Sequence, residues 1–271
     1  MVVLMNIRTL GAGFSEGYGV SVGAHRARPA GSYGWDAAWV PIFWLVCAAA
    51  CLIGAVFSAS ADPPWNIIAV LYLTLLGLLF IAGGLVYLRA TLRGKFEVWA
   101  ETLDALGLRG DEDALDLGCG RGAVAIMLAE RMPGGHVTGI DLWRSRDQSG
   151  NTIANAQANL AANGVADRVE LVTGDMTALP FADASFDVVT ASMAIHNIHA
   201  AGGREAALRE ALRVLRIGGR LVIVDISATK QYVRILGELT GESVSRVPLG
   251  WRMWWTGPWM STALVSTTRT R

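Results

Sequence analysis

A chain of 271 residues has room for one α/β domain and a smaller unit beside it. Its 23 basic and 23 acidic residues cancel, so it lacks the cationic footprint that nucleic-acid binding usually needs. Mean hydropathy is +0.39, high for a water-soluble chain, and the excess is concentrated in one region.

Residues 1–36 are rich in Gly, Ser and Ala and show no periodicity, which predicts a flexible leader. Gly11-Ala12-Gly13 and Gly17-Tyr18-Gly19 sit in no strand–turn–helix context and are not read as nucleotide loops. A helical hairpin is expected over residues 37–90. Ala37 to Ala61 has no charged residue in 25 positions, and Ile67 to Leu88 has none in 22. As helices both are long enough to span the ~30 Å hydrocarbon layer of a bilayer. Asp62-Pro63-Pro64-Trp65-Asn66 joins them as a tight turn. Trp35, Trp39, Trp44 and Trp65 fall near the expected interfaces, where indole rings favour the headgroup level.

Ala59-Ser60-Ala61 has the form of a signal-peptidase site, but the leader is too long and a second apolar run follows at once. A buried soluble hairpin is the other alternative, and two such uninterrupted runs seldom fit one small core. Arg26, Arg28, Arg89, Arg93 and Lys95 flank the outer ends, whereas the turn carries only Asp62. Both termini, and with them the domain that follows residue 95, are therefore expected on the cytoplasmic side of a cell membrane crossed twice. Of the three cysteines, Cys47 and Cys51 lie one helical turn apart in an apolar run, where packing suits them better than a metal or redox role. With Cys119 they make no disulfide framework, which fits a reducing compartment, and no metal is expected.

Lys95 to Leu108 reads as an amphipathic helix with Phe96, Trp99, Leu103 and Leu106 on one face, packing on a sheet or lying at the membrane surface. Ala114 to Leu117 suits a buried strand, and Asp116 on it precedes Gly118-Cys119-Gly120-Arg121-Gly122 and a helix from Ala123 to Met132. Such a unit aims free backbone N–H groups at a ligand in the crevice. Further strands are expected at His136 to Ile140 followed by Asp141, at Val169 to Thr173, at Phe186 to Ala191 and at Leu221 to Asp225. Helices are expected at Thr152 to Asn163 and Gly203 to Leu215, the latter ended by Gly218-Gly219. Val244 to Val247 and Ala263 to Val265 suit a sixth and a seventh strand. The alternation predicts a doubly wound, mostly parallel sheet.

The turn is G-x-G-x-G with an acid two residues before it. Asp141 lies 19 residues past Gly122, Asp175-Met176 follows the third strand, and Leu212 to Asp225 forms a long run. On these motifs residues 95–271 resemble class I S-adenosylmethionine (SAM)-dependent methyltransferases. The resemblance implies a seven-stranded sheet with an antiparallel last strand. It also implies SAM as cofactor, held by Asp116, Gly118, Cys119, Gly120, Gly122, Asp141, Leu142, Trp143, Asp175, Met176 and Ser192. Asp116 would meet the cofactor's amino group, Asp141 the ribose hydroxyls and Asp175 the adenine amino group. Leu142 and Trp143 would pack on the adenine face. An ordinary turn aspartate would look the same at positions 141 and 175. Ile217 stands where the family usually has proline before Gly-Gly, a change in turn stiffness rather than chemistry. Asp62-Pro63-Pro64-Trp65 copies an amino-methyltransferase string, but it lies in the hairpin turn and is not read as a site.

His196 and Asn197 follow the fourth strand, where the acceptor should bind. An imidazole titrates near neutral pH, which suits a general base, and Asn197 could orient an acceptor oxygen. They could equally be a structural pair; His199 is the weaker candidate. Trp251, Trp254, Trp255 and Trp259 could close an acceptor pocket, dip into the membrane surface or simply pack between the last two strands. The expected activity is methyl transfer to a lipophilic small molecule, with membrane lipid as the other partner, no nucleic acid, and a homo-oligomer compatible with the sequence. A nicotinamide-dependent oxidoreductase and a non-catalytic SAM-binding membrane adaptor are the rival readings.

Overall fold

A computed structural model describes residues 28–37, 39–145, 148–255, 257 and 262–271. Two long apolar helices come first, α1 (Trp39–Ser58) and α2 (Trp65–Arg89). Both are long and apolar enough, by length and composition, to cross a membrane. They pack through small residues. A side chain on Gly77 would press on Leu52, Trp44 lies over Gly83, and the Trp44 ring meets Phe80 edge-on. Large residues point outward instead: Leu71 is 66% and Phe57 75% exposed.

The second helix does not stop at Arg89. A π-turn at Ala90–Gly94 carries it into α3 (Lys95–Ala105), giving one continuous helix from Trp65 to Ala105. The extra residue of a π-turn rotates the following face by about 100°. That rotation goes with a change of face, since Phe96, Trp99 and Leu103 are buried in the domain core.

The sheet comprises β1 (Asp113–Leu117), β2 (His136–Asp141), β3 (Val169–Thr173), β4 (Phe186–Ser192), β5 (Leu215–Asp225), β6 (Ser245–Pro248) and β7 (Ala263–Thr268). Their order is 3-2-1-4-5-7-6, parallel except for β7, which runs antiparallel between β5 and β6. Helices α4 (Ala123–Arg131) and α5 (Ile153–Ala162) share one face with α3, while α6 (Gly203–Val214) and α7 (Thr229–Thr240) cover the other. Neighbouring residues of β1 show the two-sided burial: Ala114 belongs to the first core, Leu115 to the second. A strand covered on both faces needs apolar residues at nearly every position.

Two local expectations fail. The helix over 203–215 is not ended by Gly218-Gly219. It stops at Val214, and the glycines lie inside β5, where the pairing with β4 slips between Phe186 and Val188. Gly218 has φ +83, so it forms a bulge rather than a helix cap. The leader expected over 1–36 is also not loose at its end. Ala30 and Ser32 donate backbone N–H bonds to Asn163 and Asn159 on the α5 side, and Tyr33 is buried. Residues 1–27, which include both early glycine clusters, lie outside the described residues.

Candidate active site

Parallel strands end together at their C-terminal edge, and at the crossing from β1 to β4 their loops enclose a cavity of about 640 Å³. The turn after β1 forms its floor. Gly118, Gly120 and Gly122 have φ of +66, +52 and +79, a region that side-chain-bearing residues rarely enter. A Cβ on Gly118 would also overlap Ala194, so the backbone stays open to the cavity.

Asp116 lies at the end of β1, only 1% exposed, and accepts the Thr190 hydroxyl at 2.8 Å. Burial pushes its pKa from 3.8 to about 7, with the nearby Asp141 carboxylate adding to the rise and the Thr190 hydroxyl and Ala125 N–H opposing it. An ammonium group entering the cavity would reverse that shift. Asp141 at the end of β2 accepts Gly120 N–H at 2.9 Å, Trp143 N–H at 2.6 Å and the Asn151 amide at 3.1 Å. Its carboxylate is thereby oriented into the cavity beside the glycine turn. Buried oxygens of Gln148 and Asn151 line the same end and accept no hydrogen bond from a described residue. A buried acceptor without a donor is costly, so these atoms fit a ligand that brings hydroxyl or amino donors.

Cys119, Leu142, Asp175, Met176 and Ser192 line the cavity as well. Asp175 binds the Thr177 backbone and hydroxyl through one oxygen, both at 2.8 Å, and so caps its own turn. Gly122 lies at the N-terminus of α4, off the cavity wall. Trp143 departs from the expected stacking role. Its backbone is at φ +55 and its indole donates to Thr173 at 2.7 Å, which leaves Leu142 as the apolar residue at that rim.

At the acceptor end the wall is apolar and comes from α3. Phe96 and Trp99 face the cavity, and the Trp99 indole donates to Ser192 Oγ at 2.8 Å. Tyr33 meets Phe96 edge-on at 5.4 Å, and burial raises its phenol pKa. Beside them Lys95 pairs with Asp36 at 2.5 Å, and Asp36 also accepts the Thr91 hydroxyl and a Gln148 amide. The chain over 32–36 thus roofs the site just before it enters α1. Nothing in the local sequence of 28–36 signals this, because its partners lie more than 50 residues away.

The two acceptor candidates separate. Asn197 lines the cavity but His196 does not. The His196 ring turns behind the wall, with Nδ1 2.6 Å from Oδ1 of the fully buried Asp225, an ion-pair distance rather than an aligned hydrogen bond. Asp225 also accepts the His196 backbone N–H and the Tyr232 hydroxyl. The three-residue 3₁₀ turn Ile195–Asn197 points successive side chains about 120° apart, so Ile195 enters the core and Asn197 the cavity, and His199 beyond it is exposed at the cavity. Trp255 packs edge-on against Tyr87, Trp251 is exposed, and Trp259 lies outside the described residues.

A 3-2-1-4-5-7-6 sheet carrying an acid, a G-x-G-x-G turn and a second acid at adjacent strand ends is the arrangement of class I SAM-dependent methyltransferase domains. Residues 114–219 match the methyltransferase-domain family. Ubiquinone/menaquinone biosynthesis C-methyltransferase of Roseobacter denitrificans is 39% identical over 135 residues, 49% of this chain and 50% of that protein. Demethylmenaquinone methyltransferase of Beutenbergia cavernae is 39% identical over 137 residues, 49% of each chain. The chain therefore spans about half the length of the curated relatives it matches. A solved geranyl diphosphate methyltransferase in complex with SAM shares the fold, with a TM-score of 0.50 and 18% identity over 64% of this chain and 84% of its own.

The cavity fits SAM, a cofactor whose sulfonium supplies an electrophilic methyl group. The buried Asp116 carboxyl has the chemistry to meet an ammonium, the oriented Asp141 carboxylate that to accept hydroxyl donors, and the open glycine turn would allow close approach.

Proposed function

We propose that this protein is a membrane-anchored SAM-dependent methyltransferase whose acceptor is a lipophilic small molecule of quinone type. The observation that carries the reading is the continuity of α2 with α3. One helix supplies both an outward-facing apolar surface and the apolar cavity wall of Phe96 and Trp99. A molecule dissolved in the bilayer would need to travel only along that helix to reach the site. The names of the matched relatives, which refer to ubiquinone and menaquinone, point to the same acceptor class. In this reading α1 and α2 cross the cell membrane, with the catalytic domain on the cytoplasmic side where Arg89, Arg93 and Lys95 lie.

The residues divide the work. Asp116, Asp141 and the glycine turn hold the cofactor, while Phe96, Trp99 and Tyr33 exclude water and align the acceptor. Asn197 orients an acceptor oxygen. For a carbon acceptor a ring proton must leave once the new C–C bond forms, and His199, exposed at the cavity, is the group assigned to take it in this reading. His196, paired with Asp225, holds the turn that presents Asn197.

The test uses full-length protein in phospholipid vesicles with methyl-labelled SAM, offered demethylmenaquinone chemically reduced to its electron-rich quinol and, in parallel, a lipid extract. Label is expected in the quinone ring. Label in no lipid-soluble product, with SAM bound, would favour a non-catalytic adaptor. Preference for a reduced nicotinamide cofactor over SAM would favour the oxidoreductase.

A further inference from the structure

The 3₁₀ turn Gly250–Met253, between β6 and β7, has no place in the cofactor or acceptor chemistry, yet it is clamped hard onto the base of the hairpin. Arg252 makes a bidentate pair with Glu101 of α3 at 2.7 and 2.8 Å. The Arg252 carbonyl oxygen sits against Gly94 of the π-turn, where any side chain would overlap it. Leu249, Met253 and Trp255 are buried, Trp255 against Tyr87. Trp251 alone turns outward, 56% exposed. Its ring lies 3.9 Å from the guanidinium of Arg89, the last residue of the apolar helix α2.

That contact fixes the height of Trp251 relative to the hairpin. Trp39, which opens α1, is 69% exposed at the same end, and Trp65, which opens α2, is 73% exposed at the other. The 20 residues of α1 separate the two levels by about 30 Å, the thickness of a bilayer's hydrocarbon layer. Indole rings collect at the two edges of that layer, because their apolar body and N–H donor suit the headgroup boundary. Trp251 therefore adds to this ring of tryptophans from within the catalytic domain, some 160 residues later in sequence than Arg89.

We propose that the Gly250–Met253 turn is a second membrane contact of the catalytic domain, with Trp251 seated among phospholipid headgroups beside Arg89 and Arg93. This rests on the hairpin being membrane-spanning. The partner is the lipid headgroup layer itself. Glu97 and Glu101 pair with Arg89 and Arg252, so Arg93, exposed and unpaired among the described residues, supplies the surplus charge. A single arginine is only weakly attracted to an anionic surface, so the indole rather than charge leads the contact. The contact and the helix together hold α3, and with it the Phe96–Trp99 wall, at one height and tilt over the bilayer.

The experiment places an environment-sensitive fluorophore on Trp251→Cys in full-length protein with Cys47→Ala and Cys51→Ala, reconstituted in phosphatidylcholine vesicles. Labels at Leu71→Cys and Arg234→Cys serve as references, the first on the outward face of α2 and the second on the exposed side of α7. The label at 251 is expected to be quenched by headgroup-attached quenchers and to be severalfold less accessible to aqueous iodide than the label at 234. Arg93→Cys provides a second reporter of the same layer should the first variant fold poorly, and SAM binding checks folding in each. Iodide access at 251 and 93 equal to that at 234, with Leu71 shielded by acyl chains, would overturn the contact while leaving the hairpin reading intact. Exposure of Leu71 to iodide would overturn both.

Discussion

The hairpin and the sheet domain are built from the same apolar side chains arranged in opposite ways. In the sheet domain Leu115, Leu117, Val189 and Ile223 are fully buried. Along the length of the hairpin the buried positions are small, Ala48, Ala55, Gly77 and Gly84, with Val40, Pro41 and Tyr87 buried only at the end beside the sheet domain, while leucines, isoleucines and phenylalanines face outward. Water rewards the first arrangement with the hydrophobic effect. The second gains nothing from water, because its apolar surface remains exposed. Close packing through small residues is how helices associate where the surroundings are as apolar as leucine. In the proposed membrane-anchored reading the contrast concerns the solvent each region is built for, and the π-turn between Arg89 and Lys95 marks the change.

Paired truncations break or sharpen this contrast most strongly. Leu115→Ala in the sheet is expected to cost about 2–5 kcal/mol of domain stability, whereas Leu71→Ala on the hairpin should stay within about 0.5 kcal/mol. Denaturant unfolding in detergent, followed by loss of SAM binding, measures both. A cost at Leu71 equal to that at Leu115 would mean that the hairpin packs against something in an aqueous assembly. Within the cavity, His199→Ala is expected to lower kcat about 10²-fold or more with SAM affinity unchanged. His196→Ala should instead reduce the thermal midpoint of the domain. Reversal of the two effects would return the base role to His196.

The cofactor end makes a pH prediction. With its pKa raised from 3.8 to about 7, Asp116 favours the protonated fold. Its contribution to stability of the ligand-free protein is fully present below pH 3.8 and is lost as pH rises through about 7. SAM binding has the opposite sign, because the ammonium needs the carboxylate. Below pH 7 affinity should fall about tenfold per pH unit, with proton release on binding visible by calorimetry in buffers of different ionisation enthalpy. Asp116→Asn should abolish that slope. The smallest effect is expected from Thr190→Val. Losing its 2.8 Å bond to Asp116 should move the midpoint of the binding curve upward by about 1 kcal/mol equivalent, under one pH unit.

Much of this molecule is legible along the chain because the interactions responsible are local or periodic. Uninterrupted apolar runs mark α1 and α2, and alternating short strands and helices mark the doubly wound sheet. Asp116 and Asp141 are readable because each sits at a strand end beside a turn, and strand ends of a parallel sheet converge whatever the rest of the chain does. The register of β5 was not readable, since a glycine pair looks the same as a helix stop and as a bulge until β4 lies alongside it.

Side-chain direction was the other gap. His196 and His199 are three residues apart in one loop, and only the 3₁₀ turn and the buried Asp225 decide which of them faces the cavity. Trp143 looks like a stacking residue until a left-handed backbone and Thr173 turn it aside. The roof formed by Tyr33 and Asp36, and the seat of Trp251 on Arg89, join segments about 50 to 160 residues apart. Residue type and spacing were enough to specify what each segment buries and which ligand chemistry the strand ends offer. Which distant surfaces meet depends on how the helices and sheet pack in three dimensions, because a contact between remote segments leaves no periodic trace in either of them.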